Sequence, residues 1–574
     1  MTIARGRSRS STIRRHSPQV IILTVLLCVS IIPPFVFLAY SSLHELDPSG
    51  AFGAFTFGHF AAIFSSRTLN SVLFNSAVYS LGSALLALVI GAAQAWLAER
   101  TDASLRQVLY VASIVSLGIP YVLYIVAWIL LLGKAGPVNV FLQEIFGGVG
   151  PYINIYSLGG MIFVEGLLWS PLAFLLLSPV FRNSDASFEE AASICGAGLL
   201  STLRHITLGM ARPALLALGL LVFIKASESF EVPALVGLPG RISVLTTDIY
   251  TNMVARAPPD IGGASALSVL MLLLVFLLLS IYNRLSRHAE RFATITGKGF
   301  RPRPFDLGRL RYVAAGILIF NFVLLLLVPM LMLVWVSLLP FFQPVSAAAL
   351  KLVSLNNYLT VLESGQLELM LNTMLVAVAT ATIAVGLTFV AGWLAVRRAP
   401  GGWIVDRLAT IPLVFPGLIL GIAVMQLFLA VPIPIYGTLG ILVWAFVINY
   451  LPYGMRYSAS GMLQIHRELE EAAAICGATP LTRLRRIVAP LLAPALLAGW
   501  LFIFLMSARA LSLPILLSGP RSQLMAVAMF DLWGNGQGTE LAALGLMWSM
   551  LMTTIALVFY VVARRSAGGA LGRA

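Results

Sequence analysis

EEAASICGAG runs from Glu189 to Gly198, and EEAAAICGAT from Glu470 to Thr479. The two segments lie 281 residues apart, and the register holds well beyond them. Arg204 meets Arg485, Ile206 meets Ile487 and Pro213 meets Pro494, while upstream Pro171 meets Pro452. A second match pairs FNSAVYSLGSALLALVIGAAQAWLAER from Phe74 with LNTMLVAVATATIAVGLTFVAGWLAVR from Leu371. It aligns Asn75 with Asn372 and Trp96 with Trp393 at an offset of 297. The chain is therefore a tandem duplication. The fall in offset from 297 to 281 gives the first half 16 additional residues before Pro171. They are expected in the connection around GKAGPVNVFLQEIFGGVGPYINIYS.

Composition fixes the solvent of the repeated unit. Hydrophobic residues make up 59% of the 574 and charged residues 10%, with a mean hydropathy of +0.93. Apolar runs of the roughly 20 residues needed to cross a ~30 Å hydrocarbon core recur along the whole chain. The expected fold is an all-α polytopic membrane protein of about 12 spans. They fall near 20–43, 71–98, 107–133, 159–181, 213–235 and 264–283 in the first half. In the second they fall near 312–340, 369–396, 408–430, 438–459, 494–516 and 540–562. Six spans per half return the chain to its starting side, so the halves are parallel repeats about an axis along the membrane normal. The first apolar run, from Val20, exceeds the ~7–15 residues of a signal peptide's apolar region, and no small-residue cleavage site follows. It reads as a retained span.

A net charge of +14 would suit a nucleic-acid partner, but its distribution excludes that reading. Lys and Arg concentrate in the N-terminus (Arg5, Arg7, Arg9, Arg14, Arg15), the 99–106 loop, both repeated segments, the 284–311 linker, the 397–407 loop and the C-terminus. The alternate loops hold few: Arg67, Lys134, Arg241, Arg256, Lys351 and Arg521. This asymmetry places both termini and both repeated segments in the cytoplasm. The expected organisation is a basic N-terminus (1–19), a first repeat (20–283, core 71–283), a linker (284–311), a second repeat (312–565, core 368–562) and a tail (566–574).

Each repeated segment reads as a short helix, a glycine turn and a second short helix leading into a span at Pro213 or Pro494. Ser187 and Glu190 have capping-box spacing. In the second copy Glu470 and Glu471 suit a helix N-terminus. Gly196 and Gly477 suit helix C-terminal turns, and Thr479-Pro480 suits a cap followed by the first helical position. Alanines keep one face of each helix thin. A loop lying idle on a membrane surface has no reason to keep Glu-Ala-Ala, Gly and Ile at one spacing twice. A docking surface used twice has one.

Glu190-Ala191-Ala192, Gly196, Ile206 and Pro213, with Glu471-Ala472-Ala473, Gly477, Ile487, Pro490 and Pro494, closely resemble the coupling-loop motif of binding-protein-dependent ABC importer permeases. The first copy has Gly209 where the second has Pro490. Asn75-Ser76 and Asn372-Thr373 resemble the start of the same permease core, and the resemblance covers roughly residues 65–285 and 365–565. It implies the type I importer transmembrane fold in a bacterial inner membrane. It also implies docking of each loop into one subunit of a separate cytoplasmic ATPase dimer, and delivery of cargo by an extracytoplasmic binding protein. The chain carries no G-x-x-x-x-G-K-[ST], and GKG at 297–299 lacks its flanks. No cofactor is expected on the chain itself, and ATP belongs to the partner. Two fused halves and ESFEVPALVGLPGRISVLTTDIY (228–250) resemble the ferric-iron branch. Iron(III) is then the implied cargo, with thiamine, 2-aminoethylphosphonate or a polyamine as alternatives on the same machinery.

Intramembrane charges are functional candidates because each costs about 2.5–3.5 kcal/mol to insert. Lys225, Glu228, Glu231 and Arg509 are such residues, and Glu228 falls on Arg509 at offset 281. An ion pair between these equivalents across the axis is one expectation, and neutralisation of Glu228 by Lys225 three residues before it is the other. Glu165 is expected to be solvated. Cys28, Cys195 and Cys476 form no disulfide or metal pattern and are expected to be small buried side chains. The six histidines show no ligand spacing, and no catalytic motif is present. The rival of a different class is an ion-coupled secondary transporter, which would need a coupling residue but no duplicated docking loop.

Overall fold

The computed structural model describes residues 18–46, 52–103, 106–148, 150–185, 187–291, 305–431 and 433–571. Most of the expected N-terminal region, much of the 284–311 linker and the end of the tail lie outside the described residues. In hydrocarbon a backbone N–H or C=O must be satisfied within its own segment, so the apolar runs wind into helices.

The first half contains α1 (Pro18–Ser42), a small hairpin of β1 (His44–Leu46) and β2 (Phe52–Phe55), α2 (Leu69–Arg100), α3 (Arg106–Leu117) and α4 (Tyr121–Leu132). It continues with α5 (Pro137–Phe146), α6 (Leu158–Asn183), α7 (Ser187–Ile194), α8 (Leu208–Glu228) and α9 (Ile261–Arg291). The second half contains α10 (Leu310–Phe322), α11 (Val328–Ser337), α12 (Gln366–Val396), α13 (Gly402–Thr410) and α14 (Gly417–Ala430). It ends with α15 (Leu439–Leu463), α16 (Glu468–Ile475), α17 (Ala489–Arg509) and α18 (Gly538–Leu571).

Among the described residues, ten helices are long and apolar enough to cross a membrane, and a bent pair makes an eleventh. The twelfth expected span is α15, whose 25 residues suffice in length. It stands where α6 stands in the first half, but carries Asn449, Tyr450, Tyr453 and Arg456.

Two expected spans are corrected by prolines. The run near 107–133 breaks between α3 and α4 at Pro120, and that near 408–430 breaks between α13 and α14 at Pro416. Both prolines are extended, with ψ of 138° and 141°, because proline lacks the N–H that would continue the ladder. The second break bends by 105°. Two further spans begin and end earlier in the chain than expected. They run over Leu199–Glu228 and Pro480–Arg509, so Pro213 and Pro494 lie inside helices instead of opening them. After Glu228 and Arg509 the backbone turns extended at Ser229 and Ala510.

The halves interlock. Helix α1 packs on α13 and α14 of the other half, and α10 and α11 pack on α3 and α4. Within each half, glycines let the second span cross closely over the helix that precedes the repeated segment. Gly91 on α2 faces Ala173 on α6, and at equivalent positions Thr388 on α12 faces Gly454 on α15. Small residues let helix backbones approach in a membrane.

The 16 additional residues of the first half build α5 and its return loop, as expected. Asn139, fully buried, holds them. Its Nδ2 lies 2.9 Å from the carbonyls of Leu132, Gly133 and Ile153, and its Oδ1 accepts the Ile153 N–H at 2.9 Å. Asn139→Ala strands these groups at a cost of about 1–3 kcal/mol. Hydrogen exchange across 137–153 should then rise, with α2 and α6 unchanged; uniform protection would refute the assignment.

Candidate functional site

The two repeated segments fold alike. Gly196 and Gly477 end α7 and α16 with φ of +80° and +84°, open on all sides, as a helix-terminating glycine requires. The N–H groups of Ala197 and Ala478 return to the carbonyls of Ala192 and Ala473 at 2.9 Å. Thr479 caps the following turn through the Thr482 N–H, with Pro480 at the first position. The expected cap on α7 is corrected. Ser187 lies inside the helix, and Asp185 Oδ1 accepts its N–H at 2.9 Å. That hydrogen bond holds the Asp185 carboxyl below the usual carboxylate range.

The two glutamates of each doublet divide the work. Glu190 and Glu471 are exposed, and Glu471 makes only a surface pair with Arg467 at 2.8 Å, worth little in water. Their neighbours Glu189 and Glu470 are buried. Arg100, at the end of α2, grips Glu189 at 2.7 Å, and Thr207 donates to the same carboxylate at 2.6 Å. Arg397, at the end of the α12 span, donates to Glu470 at 2.7 Å, and Trp393 Nε1 adds a second bond at 2.8 Å. Each repeated helix is thus bolted to the second span of its own half. The sequence reading passed over this bolt, although the Glu-Glu doublet and the arginine both recur. In the first half the tryptophan equivalent to Trp393, Trp96, leaves its buried Nε1 without a hydrogen-bond partner. The linker also meets this site, Phe305 bridging Arg100 and Asp102 by hydrogen bonds of 2.8 and 3.1 Å.

The outward face carries Ala191 and Ala472, both exposed, and Ala192 and Ala473, both half-buried. Beside them stand large apolar side chains at equivalent positions. Phe188 and Leu469 are exposed, Ile194 and Ile475 are 86% and 89% exposed, and Leu200 and Leu481 are exposed too. Ile206 and Ile487 are half-buried in π-wound turns, and Pro490 is exposed at the start of α17. Cys195 and Cys476 are exposed at the ends of α7 and α16, correcting the expectation of buried thiols.

Away from these segments, a cavity of about 240 Å³ lies between the halves. It gathers Lys225, Glu228, Glu231 and Arg509, the four charged residues singled out in the sequence. Their pairing differs from the cross-axis expectation. Glu228 takes Lys225 on its own helix at 2.7 Å, because α8 carries both on one face. Arg509 donates to the Tyr121 hydroxyl at 2.6 Å and stacks its guanidinium over that ring at 4.2 Å, joining α17 to α4. Contact between equivalents does occur three residues further on, past the helix ends. The N–H of Ser512 donates to Glu231 Oε1 at 3.3 Å, and 231 and 512 are the same position of the repeat. A residue meets its own counterpart only near a two-fold axis. Glu165 is a further correction: it is 1% exposed, lines the cavity and accepts from Trp169 at 2.9 Å and Ser229 at 3.2 Å.

The chain is 27% identical over 440 residues to the ferric transport system permease protein FbpB of Actinobacillus pleuropneumoniae, covering 75% of this chain and 62% of that protein. It is 28% identical over 398 residues to the putative ferric transport system permease protein FbpB 1 of Haemophilus influenzae, covering 68% of this chain and 61% of that one. It therefore spans about three-fifths of the length of these two relatives. A probable ABC transporter permease protein y4fN of Sinorhizobium fredii is 26% identical over 516 residues, covering 87% of this chain and 88% of the relative. The model of the binding-protein-dependent transport system inner membrane component matches twice, at residues 87–291 and 384–568, once in each half. This duplicated membrane chain belongs to the family of binding-protein-dependent transport system inner membrane components.

Proposed function

We infer that this chain forms the transmembrane pathway of an ATP-driven importer, with the two repeated segments as its sockets for a cytoplasmic ATPase dimer. One observation carries the reading. Two short helices, each bolted from behind by a buried ion pair, present the same exposed apolar side chains twice, Ile194 with Ile475 and Leu200 with Leu481. Exposed apolar patches on anchored elements are protein interaction sites. Glu190 and Glu471 supply a charge on each patch, Ala191, Ala192, Ala472 and Ala473 allow close approach, and Gly196 and Gly477 end the helices. Both termini then face the cytoplasm. ATP hydrolysis belongs to the partner, and a binding protein on the opposite side delivers the cargo.

Lys225, Glu228, Glu231 and Arg509 form the pathway and its outer closure in this reading, Glu231 and Arg509 through their bonds to the opposite half. The ferric-permease names of the first two relatives support iron(III) as cargo. Putative 2-aminoethylphosphonate permeases match only 29% of the chain.

Purification from native membranes in mild detergent tests the reading. An ATPase should accompany the wild type, and Glu190→Arg with Glu471→Arg should reduce its recovery at least about tenfold, since reversed charges at a docking surface cost affinity. Absence of an ATPase from the wild type would favour the secondary transporter. A co-purifying binding protein, titrated with iron(III), thiamine and 2-aminoethylphosphonate, decides the cargo.

A further inference from the structure

The cavity between the halves is chemically lopsided. On α6 its wall carries Leu168 and Leu172, with Leu175 continuing the same stripe of the helix. At the equivalent positions of α15, 281 residues later, stand Asn449, Tyr453 and Arg456, and all three line the cavity. An arginine within a span is expensive and is normally matched by an acid. Helix α15 contains no acidic residue, and Arg456, exposed where it lines the cavity, has no hydrogen bond or ion pair among the described residues. The carboxylates of the cavity have donors of their own: Glu165 takes Trp169 and Ser229, Glu231 takes the N–H groups of Phe230 and Ser512, and Glu228 takes Lys225 on Oε2 while its buried Oε1 has no hydrogen-bond partner. The formal charges of the lining balance, Lys225, Arg456 and Arg509 against Glu165, Glu228 and Glu231, and Arg456 is the cation with no hydrogen bond or ion pair among the described residues. Among the described residues no three His, Cys, Asp or Glu side chains are grouped to hold a metal ion.

We propose that Asn449, Tyr453 and Arg456 form a ladder that binds the oxyanion groups of the cargo, so that cargo enters this cavity as an anionic complex and not as a bare cation. The proposal rests on the importer reading above and names the chemical form of what is imported. A guanidinium forks onto carboxylate or phosphate oxygens, and an amide and a phenol add single donors. Along a helix rising 1.5 Å per residue, positions 449 to 456 span about 10 Å, the size of a small metal chelate. The same oxyanion chemistry is present on a lipid headgroup. Arg456 lies seven residues from the end of α15, about 10 Å, a distance a long side chain can partly cover.

The test uses the full chain in nanodiscs of phosphatidylcholine alone and with phosphatidylglycerol. Ferric citrate, citrate and inorganic phosphate are the probes, read by the fluorescence of Trp169 and the other tryptophans and by calorimetry. Wild type should bind ferric citrate in both discs. Arg456→Leu, which copies the first half, should weaken it at least about tenfold, and Tyr453→Phe or Asn449→Leu about threefold each. Equal affinity in wild type and Arg456→Leu overturns the proposal, as does wild type that binds none of the probes. Binding that vanishes when phosphatidylglycerol is present also overturns it, assigning the guanidinium to a headgroup. Recovery of the ATPase with Arg456→Leu shows that the variant is folded. It also separates the two readings: a failed ladder leaves the importer standing, and a missing ATPase in wild type leaves the titration intact.

Discussion

Arg100→Leu is expected to destabilise the chain by about 3–5 kcal/mol, the cost of leaving one member of a buried ion pair without its partner. Arg100 and Glu189 are 2% and 5% exposed, and Thr207 alone cannot neutralise the carboxylate that remains. Arg397→Leu should cost less, because Glu470 keeps the Trp393 N–H and its pair is more accessible, Arg397 being 16% exposed. Removing both charges, in Arg100→Leu with Glu189→Leu, should recover most of the loss, since an apolar pair of similar volume is often as stable as the ions it replaces. Thermal unfolding in detergent measures all three. A double variant no more stable than the single one would mean that the ion pair is not the source of the effect. If the double variant is stable yet recovers less ATPase than wild type, the bolt positions α7 in addition to holding it.

Gly91→Thr is the second large effect. A Cβ at Gly91 would lie 2.5 Å from the Ala173 Cβ and 2.8 Å from the Phe174 N, and a backbone atom cannot step aside as a side-chain tip can. Overpacking of this kind costs about 1–3 kcal/mol. The second half solves the same crossing the other way round, with Thr388 facing Gly454. Gly91→Thr combined with Ala173→Gly transplants that solution and should restore most of the lost melting temperature. No gain over Gly91→Thr alone would show that the crossings are not interchangeable.

Much of this was legible in the sequence, and the misses have physical causes. The duplication, the glycine turns and the inserted connection follow from offsets and from the backbone freedom of glycine at Gly196 and Gly477. The broken third span of each half was signalled by Pro120 and Pro416, yet hydropathy runs straight through both because extended backbone buried in protein is as apolar as helix. The same blindness carried the expected spans past Glu228 and Arg509. The cross-axis contact accordingly lies three residues further on, at 231 and 512, beyond the ends of both helices. The buried glutamates were missed for a different reason. Glu189 and Glu190 are adjacent, and only the direction in which α7 faces decides that the first turns inward and the second outward.

The bond between Glu231 and Ser512 bears on ancestry. Two identical halves would place a second glutamate at 512, on the residue whose backbone N–H donates to Glu231, and like charges on such close neighbours disfavour ionisation of both. A glutamate on one side and a serine on the other avoids the conflict. It also requires that the two sides be encoded separately and joined in a fixed one-to-one ratio. Covalent fusion guarantees that ratio in every molecule, where freely associating subunits would also form the like-with-like pairs, half of them with glutamate facing glutamate. The asymmetry at the axis is thus a heterodimer's chemistry made obligatory by a single gene.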